Sequence, residues 1–530
     1  MGLPSSESGR VHPVSSGRAV LEESRVPRTL PQRIEARDPQ TRFAPLSFSQ
    51  ERLWFLCQLV PDVSVYGMFG GFRLRGPLDR GALERSLSEL VRRHEVLRTR
   101  FELVDGVVRQ VVEPPARFGL TMDDLTGQAG AERGQAVDHL VSAEREQAIA
   151  LDTGCMLRAK LLRLDPDEHV LLLSTHHIAM DGWSMAIFTR EIGLLYDAFS
   201  RGQPSPLPPL PIQYSDFAIW QRTSLSREQI DRQIAYWRQQ LSGAPEMIEL
   251  PGDRPRPPVA SFRGGVRHFA LSSTVTLALS RLARSEQATL YMVVLAAFQV
   301  VLSRWCGQAD LVVGMPVAGR SAPQTEDLIG FFINTLPVRV ELGGDPSFCE
   351  LVARVKAATL GALSHQDVPF EQLVAELVPR RSLSHQPLFQ VMCGLLDEES
   401  GAAGATTLRM SGLQVSHLDL GSTVSKMDLS LTLLMSERGL SGSIEYAADL
   451  FDPSTIDRMA AHLRLVLGQV AADPLRPLSR IDLLSRSERR QLLQGWNETA
   501  REYELQQCVQ ELFEAQVART PQAVAVVAGQ

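Results

Sequence analysis

The 530-residue chain lacks several features that would narrow its class at once. It has no excess of positive charge: 54 Lys and Arg stand against 61 Asp and Glu, a net charge of -7, which argues against nucleic acid as a partner. It has few cysteines, six in all (Cys57, Cys155, Cys306, Cys349, Cys393 and Cys508), and none form a C-x-x-C pair. Neither a structural zinc site nor a disulfide framework is expected from such scatter, and reduced, buried thiols fit a cytoplasmic protein. A charged-then-apolar leader is missing, as is any apolar run long enough to span a bilayer, so no membrane association is expected. No internal repeat is visible. What remains is an ordinary globular composition, 44% hydrophobic and 22% charged, in a chain too long for one compact core.

Residues 1–43 are rich in Ser, Arg, Pro and Glu without a sustained apolar period and are expected to form a flexible leader. Order is expected from Ala44-Pro45-Leu46-Ser47, with Ser47 capping a helix whose stripe is Phe48, Leu53, Trp54 and Leu56. A helix over residues 80–93 and a strand over 96–101 follow. Val170-Leu171-Leu172-Leu173-Ser174-Thr175 reads as a short buried strand, and Met185, Phe188, Ile192 and Leu195 repeat at helical spacing after it. The Pro-rich stretches at 202–209 and 250–258 cannot be helix. They divide the chain into lobes at 44–264 and 265–485, the second again alternating helices (274–284, 292–305) with strands (311–314, 336–340, 391–396). Residues 486–530 change character, from a charged helix to a Val/Ala-rich, strand-like end. The fold class is therefore α/β with two lobes of similar size.

Between that buried strand and the helical stripe lies His176-His177-Ile178-Ala179-Met180-Asp181-Gly182. Adjacent histidines leaving a strand point in opposite directions, one inward and one toward a cleft. A histidine held in a cleft suits proton transfer near neutral pH. Gly182 permits close backbone approach, and its N–H is placed to meet a developing oxyanion. A carboxylate in a cleft needs a cation, so Asp181 is expected to pair with Arg93, Arg98 or Arg339, which of them being open. Histidine and aspartate also bind metals, but His94, His365 and His385 are distant in sequence and no cluster stands nearby, so no metal is expected.

Residues 176–182, continued by Trp183 and Ser184, resemble the HHxxxDG motif of the condensation domains of nonribosomal peptide synthetases. Other segments resemble that family's motifs in its order. These are Leu46-Ser47-Phe48-Ser49-Gln50-Glu51-Arg52-Leu53-Trp54-Phe55-Leu56, Arg93-His94-Glu95-Val96-Leu97-Arg98-Thr99-Arg100-Phe101 and Tyr214-Ser215-Asp216-Phe217-Ala218-Ile219-Trp220. Ile329-Gly330-Phe331-Phe332-Ile333-Asn334-Thr335-Leu336-Pro337-Val338-Arg339 and His365-Gln366-Asp367-Val368-Pro369-Phe370-Glu371 complete the series. Leu512-Phe513-Glu514-Ala515-Gln516-Val517-Ala518-Arg519-Thr520-Pro521 looks like the start of an adenylation domain. One stretch departs from the pattern: Ala148-Ile149-Ala150-Leu151-Asp152 stands where the family has a Pro-Phe-Asp-Leu-like run.

The resemblance implies two chloramphenicol-acetyltransferase-like lobes in a V-shaped pseudo-dimer, with a substrate tunnel between them. It implies an acyltransferase that joins an acyl thioester donor to the α-amine of a carrier-bound aminoacyl group. His177 then bases or positions the amine and Gly182 meets the oxyanion, while His176, Asp181, Arg98 and Arg339 support the site. Trp183, Ser184 and Asn334 are expected along the tunnel. The aromatic motif residues Trp54, Phe101, Phe217, Trp220, Phe331 and Phe332 are expected in the core. No cofactor is expected on this domain, its substrates arriving on phosphopantetheine or CoA. Expected partners are an acyl-CoA or acyl-carrier donor, an aminoacyl-carrier acceptor and the adjacent adenylation domain. Met1, with too few residues before 44 for a carrier domain, favours a starter domain taking a fatty acyl-CoA. An elongating domain using a peptidyl-carrier donor is the alternative, and a non-catalytic recruitment platform the reading from another class.

Overall fold

Each half of the chain wraps a sheet with helices. In the computed structural model, residues 33–527 are described, apart from 39, 60–63, 225–226, 379–381, 398–407, 419, 422–423, 437–438 and 503–506. The first half supplies β1 (Phe43–Pro45), β2 (Gly67–Arg75), β3 (Thr99–Val104), β4 (Val107–Val112), β5 (Thr121–Asp124), β6 (Leu157–Asp165) and β7 (Glu168–His176). The second supplies β8 (Gly264–Ala270), β9 (Asp310–Val317), β10 (Asn334–Glu341), β11 (Val391–Asp397), β12 (Gln414–His417), β13 (Leu429–Ser436) and β14 (Gly439–Ala447). The sheets are ordered β12-β2-β7-β6-β5 in the first lobe and β10-β9-β11-β13-β14-β8 in the second, with a small β1-β4-β3 sheet beside the first.

The apolar run at 170–173 follows from β7 being covered on both faces. Leu171 and Leu173 pack with Leu83, Leu87, Leu90, Ile187, Phe188 and Ile192 from the helices Arg80–Arg93 and Gly182–Ser200. Val170 and Leu172, on the opposite face, pack with Val141 of the helix Gly130–Glu146. The period-2 alternation thus feeds two cores rather than one core and solvent. In the second lobe the helix Leu290–Cys306 is buried from Met292 through Leu302, apolar all round because it lies inside its lobe. Among the described residues, no single helix is long and apolar enough to cross a membrane.

Three features differ from the sequence expectation. Order reaches into the expected leader: Ile34 is buried and exchanges two 2.8 Å bonds with the Gln324 side-chain amide, and Arg37 pairs with Glu95 (2.6 Å) and Asp216 (3.1 Å). An isolated isoleucine carries no periodicity, so only its tertiary socket reveals it. Residues 1–32 of that expected leader lie outside the described residues. Moreover, β12, from the second half, joins the first lobe's sheet antiparallel to β2, with His417 opposite Phe72. Residues 95–98, expected in part as strand, form a 3₁₀ turn before β3, closed by the Thr99 hydroxyl on the Glu95 carbonyl (2.7 Å).

The chain divides into two compact units at Ile481 and Asp482. The shorter unit contains the helices Arg486–Leu493, with Ser485 and Glu488 forming a reciprocal cap, and Val509–Arg519. Residues 521–527 are in no strand.

Candidate active site

β7 ends at His176, and a tight turn follows. The His177 N–H bonds the Tyr66 carbonyl (2.8 Å), Ala179 N–H bonds His176 O (2.9 Å), and Asp181 then caps the helix Gly182–Ser200 through Ser184 N–H (2.8 Å). Because the strand stops at His176, alternation does not carry the next side chain to the far face. Both histidines border one cavity of about 860 Å³. Its walls include Met68, Phe69, Ile149 and Leu151 of the first lobe and Lys426 and Glu445 of the second. The volume falls in the ordinary range for small-molecule sites.

The two imidazoles differ. His176 is buried; its Nδ1 accepts from Ile178 N–H (3.1 Å), and Nε2 lies 3.7 Å from the Cys57 thiol. Burial first, and the Lys426 ammonium second, push its pKa down to about 4. His177 is half-buried, 6.0 Å from the Phe331 ring. Its Nδ1 is buried without a hydrogen-bond partner among the described residues, and Nε2 is the nitrogen left to the cavity. Burial, then Lys426, then His176 hold it well below the usual histidine range, the Met180 carbonyl opposing them. A neutral His177 can accept a hydrogen bond from an incoming amine. Gly182, the first helical residue, is exposed, and a Cβ there would meet open space. As a first helical residue it has no intrahelical acceptor for its N–H.

Asp181 is fully buried, and its partner is Arg320, at 3.3 Å. None of the three expected arginines takes that place. Arg93 pairs with Glu191 (3.1 Å). Arg98 pairs with Glu95 (3.4 Å) and donates to the Glu113 carbonyl, and Arg339 binds Asp310 (2.7 Å) and the Gln240 and Ser242 carbonyls. Each finds a carboxylate near its own element, whereas Arg320 arrives from the loop after β9. The route depends on Gly319, whose φ is +65° and where a Cβ would stand 1.9 Å from the Phe332 carbonyl oxygen. The sequence signal is a Gly-Arg pair at a strand exit, too common to single out.

Two residues expected along the tunnel serve the framework instead. Ser184 is fully buried, with its hydroxyl 2.7 Å from Asp181 Oδ1 and 2.8 Å from the Gly330 carbonyl, accepting from Gly330 N–H (3.0 Å) and Arg320 Nη2 (2.9 Å). Asn334 donates to the Gln366 and Val368 carbonyls (both 2.9 Å) and accepts from Thr335 and Phe370 N–H (both 3.0 Å), which leaves it no free valence for a ligand. Trp183 donates through Nε1 to the Glu326 carbonyl (3.1 Å).

The segments singled out in the sequence meet around this network. Gln50 donates to the Ile178 carbonyl (3.1 Å), and Ser47 meets the Tyr214 hydroxyl (2.8 Å), which donates to Phe331 O (2.6 Å). His94 Nδ1 accepts from Ile329 N–H (3.3 Å), and Phe332 N–H donates to Asp181 Oδ2 (3.0 Å). Stretches from the first lobe thus clamp one loop of the second, at residues 329–332.

A family model described as "Condensation domain" matches residues 40–493. The chain is 42% identical over 483 residues to the malpinin synthetase of Mortierella alpina, covering 91% of this chain and 6% of that relative. It is 41% identical over 498 residues to an isonitrile lipopeptide synthase of Mycobacterium tuberculosis, covering 92% of this chain and 20% of the relative. The chain therefore spans only a small part of these curated relatives. Among solved structures, the X-domain from teicoplanin biosynthesis superposes with a TM-score of 0.77 at 34% identity, over 85% of this chain and 99% of that one. The chain belongs to the condensation-domain family of nonribosomal peptide synthetases, acyltransferases that form amide bonds.

Proposed function

We propose that the cavity beside His177 is where an acyl thioester is converted to an amide. The α-amine of a carrier-bound aminoacyl acceptor attacks the thioester carbonyl, the C–N bond forms, the C–S bond breaks, and the thiol leaves on its phosphopantetheine or CoA arm. His177 Nε2 accepts the hydrogen bond of the attacking amine and takes up or relays its proton; the Gly182 N–H, which has no intrahelical acceptor, is the donor assigned to the oxyanion. The observation that carries this reading is a neutral imidazole opening into a cavity of substrate size. An α-amine is already partly neutral near pH 7, so holding it in line with the carbonyl contributes at least as much as basicity. His176 fixes the turn, and Asp181 fixes its end. Trp183 stands beside them at the start of the helix.

For the donor, we propose a fatty acyl group. The apolar wall formed by Met68, Phe69, Ile149, Leu151, Met180 and Phe188 supports it. Ala148 and Ile149, which depart from the family's pattern, lie in that wall. The second reading, a peptidyl-carrier donor, is favoured by the 42% identity to a malpinin synthetase of which this chain matches only 6%. In either case the acceptor arrives on a carrier domain, and residues 486–530 lead toward an adenylation domain. The test gives the chain octanoyl-CoA, then a peptidyl carrier, each with an aminoacyl carrier, and detects the amide by mass spectrometry. Octanoyl amide supports the starter reading; product from the peptidyl donor alone replaces it. A His177→Ala variant that keeps the full rate with both substrates saturating removes His177 from the mechanism, and absence of product from every donor favours a recruitment platform.

A further inference from the structure

Three of the 54 basic residues are lysines: Lys160, Lys356 and Lys426. Lys160 pairs with Glu144 (2.9 Å) and Asp123 (3.6 Å), and Lys356 donates to the Glu286 carbonyl (3.2 Å). Lys426 differs. Its Nζ lies 5.2 Å from the centre of the Tyr66 ring, and among the described residues no hydrogen bond or ion pair is seen for it. It borders the same cavity as His176 and His177, although it comes from the other lobe, just before β13. The backbone holds it there: Val424 bridges Arg263, Ser425 N–H bonds the Phe262 carbonyl (2.8 Å), and the Ser425 hydroxyl bonds Met427 O (2.8 Å).

An ammonium carries three donors, and leaving them unmade away from bulk water is costly unless a ligand or a function compensates. The charged and titratable groups around it are Glu445 on β14, Arg52 and Cys57 on the helix Phe48–Leu59, Tyr66 before β2, and the two histidines after β7, and Glu144, Arg145, Glu146 and His417 border the same cavity. Arg52 is itself engaged by Glu371 (3.5 Å). Glu445 favours the charged form of Lys426, while burial and Arg52 oppose it.

We propose that Lys426 is a positioning residue for amide formation: its charge, facing the His177 imidazole across the cavity, admits the acceptor amine in its neutral, nucleophilic form. The physical reason is like-charge repulsion in a low-dielectric cavity. A second ammonium is disfavoured beside the first, and so is an imidazolium. The proposal rests on the amide-forming reading and adds to it the means by which an ordinary α-amine is kept deprotonated below its usual pKa of about 7.7–8.0. Burial pushes Lys426 itself down to about 8. The field is therefore present below pH 8 and disappears above it.

The test compares wild type, Lys426→Met and Lys426→Arg in the full chain. The acid limb of kcat is expected about one pH unit higher in Lys426→Met, so that its rate near pH 6.5 falls roughly tenfold. The rates should converge above about pH 9, and Lys426→Arg should keep the wild-type limb. Superimposed limbs, or an equal loss at every pH, overturn the proposal. With only three lysines, [ε-¹³C]lysine labelling gives an independent readout in wild-type protein. One signal, absent from Lys426→Arg, should titrate near 8; titration of that signal near the free-lysine value of about 10.4 also overturns the proposal. That titration needs no turnover, so it separates failure here from failure of the amide-forming reading.

Discussion

Replacing Arg320 with methionine should be among the most damaging single changes near the site. The guanidinium is 3% exposed and Asp181 is 0% exposed. Arg320 Nη2 reaches Asp181 (3.3 Å) and the Ser184 hydroxyl (2.9 Å); Nη1 binds the Leu328 (2.8 Å) and Thr325 carbonyls, and the group lies 4.0 Å from the centre of the Phe332 ring. Methionine retains much of the volume and none of these interactions. Asp181 keeps its bonds from Ser184 and Phe332 N–H but becomes an uncompensated buried charge, which costs about 3–5 kcal/mol. Chemical denaturation of the long unit should show that loss. Adding Asp181→Asn removes the orphaned charge, so the double variant should be more stable than the two single losses summed imply, by about 0.5–3 kcal/mol. Because Asp181 ends the turn that carries His177, a shift of ~1 Å should also reduce amide formation about 100-fold. An Arg320→Met protein within ~1 kcal/mol of wild type, or a cycle without coupling, refutes the reasoning.

Three further outcomes follow from the same geometry. His176 is held down at about 4, against ~6.5 in the unfolded chain. Below pH 6.5 the unfolded state binds a proton that the folded state refuses, so stability should fall toward pH 4 by up to about 1.4 kcal/mol per pH unit for this group. His176→Gln should flatten that slope in denaturant titrations at pH 7 and pH 5, and an unchanged slope contradicts the assignment. Gly319→Ala should destabilise by at least about 1–3 kcal/mol, since the added carbon meets the Phe332 carbonyl; a neutral melting temperature would show that the Arg320 loop does not need that conformation. Asn334→Ala should lower stability by about 1–3 kcal/mol while leaving donor preference unchanged, and altered selectivity without destabilisation would return Asn334 to the substrate path.

The local elements were legible where periodicity is strong. The helix Arg80–Arg93 follows directly from its apolar spacing, the helix Leu290–Cys306 from an apolar run too long for a strand, and β7 from its run of leucines. The exceptions have physical causes. Residues 96–98 have strand composition, but the Thr99 hydroxyl closes a turn on them. β12 carries four residues, too few for a pattern, and its pairing with β2 depends on a chain crossing from the other lobe. Ile34 is a single apolar side chain whose socket is made by distant residues.

For the site, the sequence by itself determined the candidate segment. Residues 176–182 carry two histidines, an aspartate and a glycine in a spacing that a strand-to-helix turn converts into a cap, an imidazole beside the cavity and an N–H without an intrahelical acceptor. The bonds that shape the cap are local, although Tyr66, Gln50, Phe332 and Arg320 also hold the turn from distant parts of the chain. Only the tertiary structure decided what surrounds it. Arg320 lies 139 residues from Asp181, and Lys426 comes from the other lobe. Pairing of such side chains depends on which loops the two sheets bring together, not on any local preference. Several arginines offered the same charge to Asp181; burial and reach selected the one whose loop is held against Phe332.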